Sequence, residues 1–247
     1  MFGAVINKYG DTSVLEYNDL LGEPKPKANQ VLVEIHASSV NPIDLMKRQG
    51  YGKAIFEKQR SASFPWILGS DFAGIVKEVG TKVSKFSKGD EVWGCTSHAN
   101  HGCYAQYGVY DLDEIDFKPS NITFNEAASL PYVALTTWAS LIRWASLRPQ
   151  DIENKKVFVQ AGAGGVGTFA IQLFKSWNCE IATTCSNHNY DLVKSLGAKT
   201  VIDYANEDFS NMLKDYDIVL DCVGDLGGES FKEKCIQVLK QENTSHY

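Results

Sequence analysis

The residues of this 247-residue chain whose spacing can do chemistry begin with glycines. Gly162, Gly164 and Gly167, in the segment VFVQAGAGGVG (157–167), match the pattern G-x-G-x-x-G. That spacing permits a sharp turn, a close approach of backbone to a pyrophosphate, and tight packing of a helix on the preceding strand. A helix start also carries unpaired N–H groups and the positive end of the helix dipole, so a diphosphate placed there is stabilised. Alone, the pattern is weak, since a structural Gly-rich turn also matches it. Its context is more specific: an apolar run leads into it, and Val166, Phe169, Ala170, Leu173 and Trp177 follow at helical spacing, as in a helix lying on a sheet.

The residues after this helix decide which nucleotide is favoured. Glu180–Cys185 reads as a second strand, Asn189–Leu196 as a helix stopped by Gly197, and Thr200–Asp203 as a third strand, completing a β-α-β-α-β unit. An NAD-binding unit places an acid at the end of its second strand, about 20 residues past the glycines, to accept the ribose 2′-hydroxyl. Here those positions hold Thr184, Cys185, Ser186, Asn187 and His188. No carboxylate there repels a 2′-phosphate, which favours NADPH. Ser186 can donate a hydrogen bond to that phosphate and His188 can add charge, although Lys194 is the first lysine or arginine in reach. Ser186 and Asn187 also suit simple helix N-capping, and the two roles are compatible.

The elements that position these residues fall into two halves. Before the glycines lie short strand signals at Ala4–Asn7, Val14–Tyr17, Val31–Ser38, Ala73–Val79, Glu91–Gly94 and Tyr104–Tyr110, punctuated by Pro24, Pro26, Gly80 and Gly89. They imply a compact, partly closed β-domain over residues 1–121. Residues 122–247 then form the nucleotide domain, entered through a helix over Asn125–Leu141 with a kink at Pro131. No polar linker separates the halves, so the cleft between them is the default ligand site. A net charge of −6 without a Lys/Arg block argues against nucleic acid or an anionic membrane surface as partner. No apolar run approaches the roughly 20 residues of a membrane span. The six cysteines form no paired C-x-x-C and read as reduced thiols. A strand signal begins almost at once, so no transit peptide is visible in the chain.

Six segments in order carry a resemblance: VNPIDLMKRQGYG (40–52), FPWILGSDFAGIVKEVG (64–80), KGDEVWG (88–94), AASLPYVALTTWASL (127–141), AGAGGVGTFAIQ (161–172) and LGAKTVIDY (196–204). The chain resembles the medium-chain dehydrogenase/reductase superfamily, and within it the zinc-free quinone oxidoreductases, including their mitochondrial, NADPH-linked, reticulon-interacting branch. The resemblance implies an α/β protein with an N-terminal GroES-like β-barrel domain and a Rossmann doubly wound parallel-sheet domain. It implies Asn41 near the nicotinamide or its ribose and Thr136 near the phosphate or nicotinamide end. Gly164, Gly165 and Val166 then fall on the diphosphate, Ser186 and Tyr204 at the 2′-phosphate, and Val223 against the adenosine or nicotinamide side. Ala163 stands where similar proteins carry Ser, which removes one hydroxyl contact.

The resemblance also bears on metal and partners. Zinc-dependent members of that superfamily use a Cys near Asn41, a His near Ser70 and a third ligand around Leu130 and Pro131, none of which supplies thiolate or imidazole here. Cys95, His98, His101 and Cys103 hold two thiols and two imidazoles in one short segment, but the single residue between His101 and Cys103 is tight for a tetrahedral cage. A polar loop is the preferred reading, and no metal is expected. Hydrogen bonds must then polarise the substrate, which suits a small-molecule quinone or conjugated enone reduced by hydride from C4 of the nicotinamide. Tyr51 and Tyr132 are candidate proton donors and Asp44 a candidate for ordering a water; the plainer readings are core aromatics and a turn or helix-cap carboxylate. After the strand Asp217–Cys222 and an amphipathic helix over Gly228–Lys240, the sequence departs from the family pattern. The expectation is a Rossmann sheet ending at its fourth strand, without the edge that forms the homodimer in relatives, and with weak or absent activity. A protein partner of the reticulon type, or NADPH binding without turnover, is the alternative.

Overall fold

The computed structural model describes residues 1–54, 64–97, 102–224 and 228–240. It divides into two compact units, Met1–Tyr132 and Val133–Tyr247. In the first, strands β1 (Gly3–Ile6), β2 (Leu15–Asn18) and β4 (Trp66–Ile67) form a small antiparallel sheet in the order β2-β1-β4. A five-stranded antiparallel sheet is built from β3 (Gln30–Ser38), β5 (Asp71–Val79), β6 (Glu91–Cys95), β7 (Tyr107–Asp111) and β8 (Ile115–Phe117), ordered β7-β3-β5-β6-β8. Val31 and Val33 of β3 sit two apart and meet Phe72, Val76, Val92 and Tyr110 in one buried cluster, as the period of two requires. Register shifts at Leu32/Val33 and Ile35/Ala37 bend β3 against β5.

A short helix, α1 (Pro42–Arg48), follows β3 because Asn-Pro-x-Asp is a helix start. Asn41 is extended, Pro42 occupies the first helical turn where its missing N–H costs nothing, and Asp44 accepts the Asn41 N–H at 2.9 Å. The strand signal at Tyr104–Tyr110 resolves into β7 alone. Tyr104 lies before it, its N–H donating to Leu68 O at 2.9 Å.

One kinked helix was expected over Asn125–Leu141; the chain instead forms two, α2 (Phe124–Ala128) and α3 (Pro131–Trp138). Proline lacks the N–H and crowds the carbonyl four residues back, so Pro131 starts a new helix where it could not continue the old one. Thr123 and Glu126 cap α2 reciprocally, and Ala127 and Ala128 pack on Ala73 with Ala37, Trp93 and Phe124 around them. That packing joins α2 to the first unit, which runs to Tyr132. Beyond Trp138 the chain widens into a π-helical stretch, Ala139–Trp144.

In the second unit, β9 (Lys156–Val159), β10 (Glu180–Cys185), β11 (Thr200–Asp203) and β12 (Ile218–Leu220) form a parallel sheet ordered β11-β10-β9-β12. Both faces are covered. Val157 and Val159 enter a core with Ala170, Ile171 and Phe174 of a long helix, while Phe158 enters another with Ile202, Phe209 and Val219. After α4 (Pro149–Ile152), that long helix is α5 (Gly165–Ser176), with α6 (Tyr190–Leu196), α7 (Phe209–Met212) and α8 (Glu229–Val238) following. Gly197 ends α6 with φ +132°, a conformation only glycine adopts without strain. Because the strands are parallel, the segments after β9, β10, β11 and β12 all emerge at the same end of the sheet.

Candidate functional site

The loop after β9 is shaped by what its glycines exclude. A Cβ on Gly162 would lie 2.0 Å from Thr183 Oγ1, whose hydroxyl donates to Val159 O at 2.6 Å. One on Gly167 would lie 2.3 Å from Ala161 O. These two positions let α5 close onto β9. Gly164 differs: it is exposed, and its Cβ would meet only Ala161 O at 3.3 Å, so the space before it is open, as a diphosphate requires. Thr184 fixes the loop's entry, taking the Ala161 N–H on Oγ1 (3.1 Å) and the Gly162 N–H on its carbonyl (2.8 Å). Gly165 and Val166 open the 12-residue α5, whose first turn contains no acidic side chain to compete for its free N–H groups. Ala163 packs against the core beneath.

The other cofactor residues proposed for this unit stand at the same sheet end. Ser186 follows β10 and Tyr204 follows β11, each one residue past the paired Cys185 and Asp203. Tyr204 is 63 % exposed and its N–H reaches Cys185 O at 3.4 Å. Ser186 precedes a single 3-10 turn, Asn187–Asn189, but its side chain makes no capping bond; Oγ instead accepts from Asn189 Nδ2 at 3.2 Å and lies 3.4 Å from His188 Nε2. Asp203, at the end of the strand beside Ser186, is engaged by Asn206 Nδ2 (2.8 Å) and the Ala205 N–H (3.1 Å). Val223 follows β12 and donates its N–H to Asp221 Oδ1 at 2.8 Å. Thr136 lies on α3, the helix whose Val133 would be 3.1 Å from a Cβ on Gly165.

In the first unit the structure gathers a buried polar network that the sequence did not announce. Asp44, 2 % exposed, accepts from Ser70 Oγ (2.7 Å) and Tyr104 OH (3.2 Å) as well as from Asn41 N–H. Lys47, also buried, donates to Ser70 Oγ at 3.4 Å. Asn41 Nδ2 turns to Asp71 Oδ2 (2.8 Å), which also accepts from Ser39 Oγ, while Asp71 Oδ1 takes the Tyr132 N–H at 2.7 Å. Asn41, Asp44 and Tyr132 are thus brought together, and Tyr51 stays 57 % exposed on the surface. Burial pushes the Tyr132 phenol up to about 12 and the Tyr104 phenol higher still. The missed members are Lys47, Ser70, Asp71 and Tyr104. The available signal was Lys47 one helical turn after Asp44.

Asp71 carries a pH dependence. Burial is the foremost influence on its carboxyl and raises it above the ordinary value, against the opposing hydrogen bonds from Ser39, Asn41 and the Tyr132 N–H. With the folded pKa above the unfolded one, ionised Asp71 costs stability at neutral pH, and the cost is relieved as pH falls through the folded pKa. Wild type should therefore gain stability relative to Asp71→Asn between neutral pH and about pH 4. Urea midpoints of the two proteins across that range test this; a constant gap would show that Asp71 titrates as in the unfolded chain.

The four-residue thiol and imidazole cluster is only half within the described residues, since His98 and His101 lie outside them. Burial pushes the Cys95 thiol up to about 12, and Cys103 is fully buried with Tyr110 OH donating to its sulfur at 3.4 Å. Among the described residues, no group of three or more His, Cys, Asp or Glu side chains could hold a metal ion. No described helix is long and apolar enough to cross a membrane.

An antiparallel β unit followed by a parallel nucleotide-type sheet, with the glycine loop at its strand ends, is a two-unit α/β architecture. Residues 27–131 match the family model of the alcohol dehydrogenase GroES-like domain, and residues 165–244 that of the zinc-binding dehydrogenases. The chain belongs to the medium-chain dehydrogenase/reductase superfamily. It is 39 % identical over 232 residues to the human protein "NAD(P)H oxidoreductase RTN4IP1, mitochondrial", covering 89 % of this chain and 59 % of that one. It thus spans about three fifths of that relative's length. Among solved structures, the quinone oxidoreductase from Coxiella burnetii superposes with a TM-score of 0.84 at 35 % identity, covering 97 % of this chain and 73 % of that one. The Escherichia coli quinone oxidoreductase complexed with NADPH gives 0.81 at 25 % identity, covering 98 % and 71 %.

Proposed function

We propose that this chain binds NADPH at the C-terminal ends of its parallel strands and reduces a quinone or conjugated enone without zinc. The observation that carries this reading is the open backbone at Gly164, exposed together with Gly165 at the start of α5, on the sheet end that also carries Ser186 and Tyr204. A diphosphate would lie against the Gly164–Val166 backbone, and Ser186 with Tyr204 would take the 2′-phosphate end. The residues that end β10 and follow it, Thr184 to His188, carry no carboxylate, and Asp203 on the neighbouring strand already accepts from Asn206 and Ala205, which supports NADPH over NADH. When bound, the nicotinamide supplies hydride. The chain's own part is to orient the cofactor, exclude water and provide hydrogen bonds. On the first unit, the amide at Asn41, the hydroxyl at Ser70 and the ammonium of Lys47 form a donor set unsuited to zinc, which supports a metal-independent reaction. The relative's name supports a mitochondrial setting for the same function.

Fluorescence titration of the purified chain with NADPH and NADH, followed by quinone, tests the reading. Expected is binding of NADPH about tenfold or more tighter than NADH, a preference that Ser186→Asp abolishes by setting a carboxylate against the 2′-phosphate. Equal affinities in wild type would overturn the assignment of Ser186. Nucleotide bound but not oxidised by quinone would favour the alternative, a nucleotide-binding protein serving a reticulon-type partner.

A further inference from the structure

We propose that Gln160 is a ligand-positioning residue of the nucleotide site, whose side-chain amide bonds to the seated dinucleotide directly or through one bridging water. The inference rests on the nucleotide-binding reading above. Gln160 is the residue between β9 and the glycine loop, and it is wholly buried. Neither its Nε2 nor its Oε1 has a hydrogen-bond partner. Buried side-chain amides are almost always bonded, because an orphaned donor or acceptor forfeits its water without replacement. The three residues before it, Val157, Phe158 and Val159, are apolar and fully buried, so a residue needed only for packing would be apolar too.

Its place in the sheet says what the amide is for. The Gln160 N–H donates to Leu220 O at 3.0 Å, tying the end of β9 to the end of β12. Those strands flank the point where the order turns from β11-β10-β9 to β12, and in open α/β sheets ligands bind in the crevice outside the strand ends at such a point. Nearby polar groups at the neighbouring strand ends are committed elsewhere: Thr184 Oγ1 to the Ala161 N–H, and Asp221 Oδ1 to the N–H groups of Val223 and Gly224. An amide with both a donor and an acceptor idle matches a group that also does both. A ribose hydroxyl of the dinucleotide, or a water it holds, is such a group; a phosphate oxygen alone would satisfy only the nitrogen.

The test pairs apo stability with affinity in Gln160→Met, which keeps the side chain's length and removes its polarity. Expected are an apo thermal midpoint higher by about 3 °C or more, since the orphan is gone, and an NADPH Kd weakened about tenfold or more. Gln160→Leu is measured alongside in case the methionine packs poorly. Wild-type binding with an unchanged Kd in either folded variant overturns the proposal. So does a lowered apo midpoint in both, which would show that the amide is already bonded in the apo fold. Failure of wild type itself to bind NADPH or NADH sinks the nucleotide reading, and this proposal with it.

Discussion

Replacing Asp44 by alanine is expected to destabilise the first unit by about 3–5 kcal/mol, lowering its thermal midpoint by roughly 10 °C. The carboxylate is the shared acceptor of three donors, the Asn41 N–H, Ser70 Oγ and Tyr104 OH, and the Lys47 ammonium stands one hydroxyl away. Truncation would leave those donors facing a void, each stripped of its acceptor with no water to replace it. Asp44→Asn, which keeps the volume and one acceptor oxygen, should lose no more than about half as much. Calorimetry of the full chain reads this on the first unit's transition. A loss below about 1 kcal/mol for Asp44→Ala would mean that water reaches the network.

The same network shows where sequence reading stops. Asp44 and Lys47 are three apart on α1, a spacing that on most helices is a solvated pair, and nothing local reports that this face is covered. The covering residues come from far along the chain, Ser70 at a separation of 26 and Tyr104 at 60. Burial of a polar residue is a property of tertiary packing, and no periodicity encodes it. What was legible is local in its physics: glycine spacing between an apolar strand and a 3.6-period helix, the helix stop at Gly197, and the strand alternation through Val31 and Val33. Strands β4 and β8, of two and three residues, carry too short a pattern to be read. Pro131 was legible as a disruption but not as a full break, because the direction the chain takes after it depends on α2 packing against Ala73. Gln160 has the look of an ordinary polar strand end in the sequence, because the burial of its unbonded amide is set by the tertiary packing around it.

Within the nucleotide loop, alanine at the three motif glycines should split stability from binding. Gly167→Ala puts a methyl carbon 2.3 Å from Ala161 O and 2.7 Å from Gly162 Cα. Both are backbone atoms and cannot swing aside, so α5 must lift from β9. Gly162→Ala meets Thr183 Oγ1 at 2.0 Å and Ile171 Cδ1 at 2.9 Å, in the middle of the core that joins helix to sheet. Overpacking of this kind costs about 1–3 kcal/mol, and more where backbone must move, so both variants should melt several degrees lower and lose nucleotide binding with the fold of the loop. Gly164→Ala is the informative contrast. Its backbone, at φ −78° and ψ 170°, is one alanine adopts freely, and the added methyl finds only Ala161 O at 3.3 Å. Its thermal midpoint should therefore stay within about 2 °C of wild type. Its affinity for NADPH should nonetheless fall by about tenfold or more, because the methyl stands where the diphosphate must approach the backbone. If Gly164→Ala binds as wild type does, the exposed backbone at Gly164 is not the phosphate contact, and the nucleotide must be seated elsewhere on the sheet end.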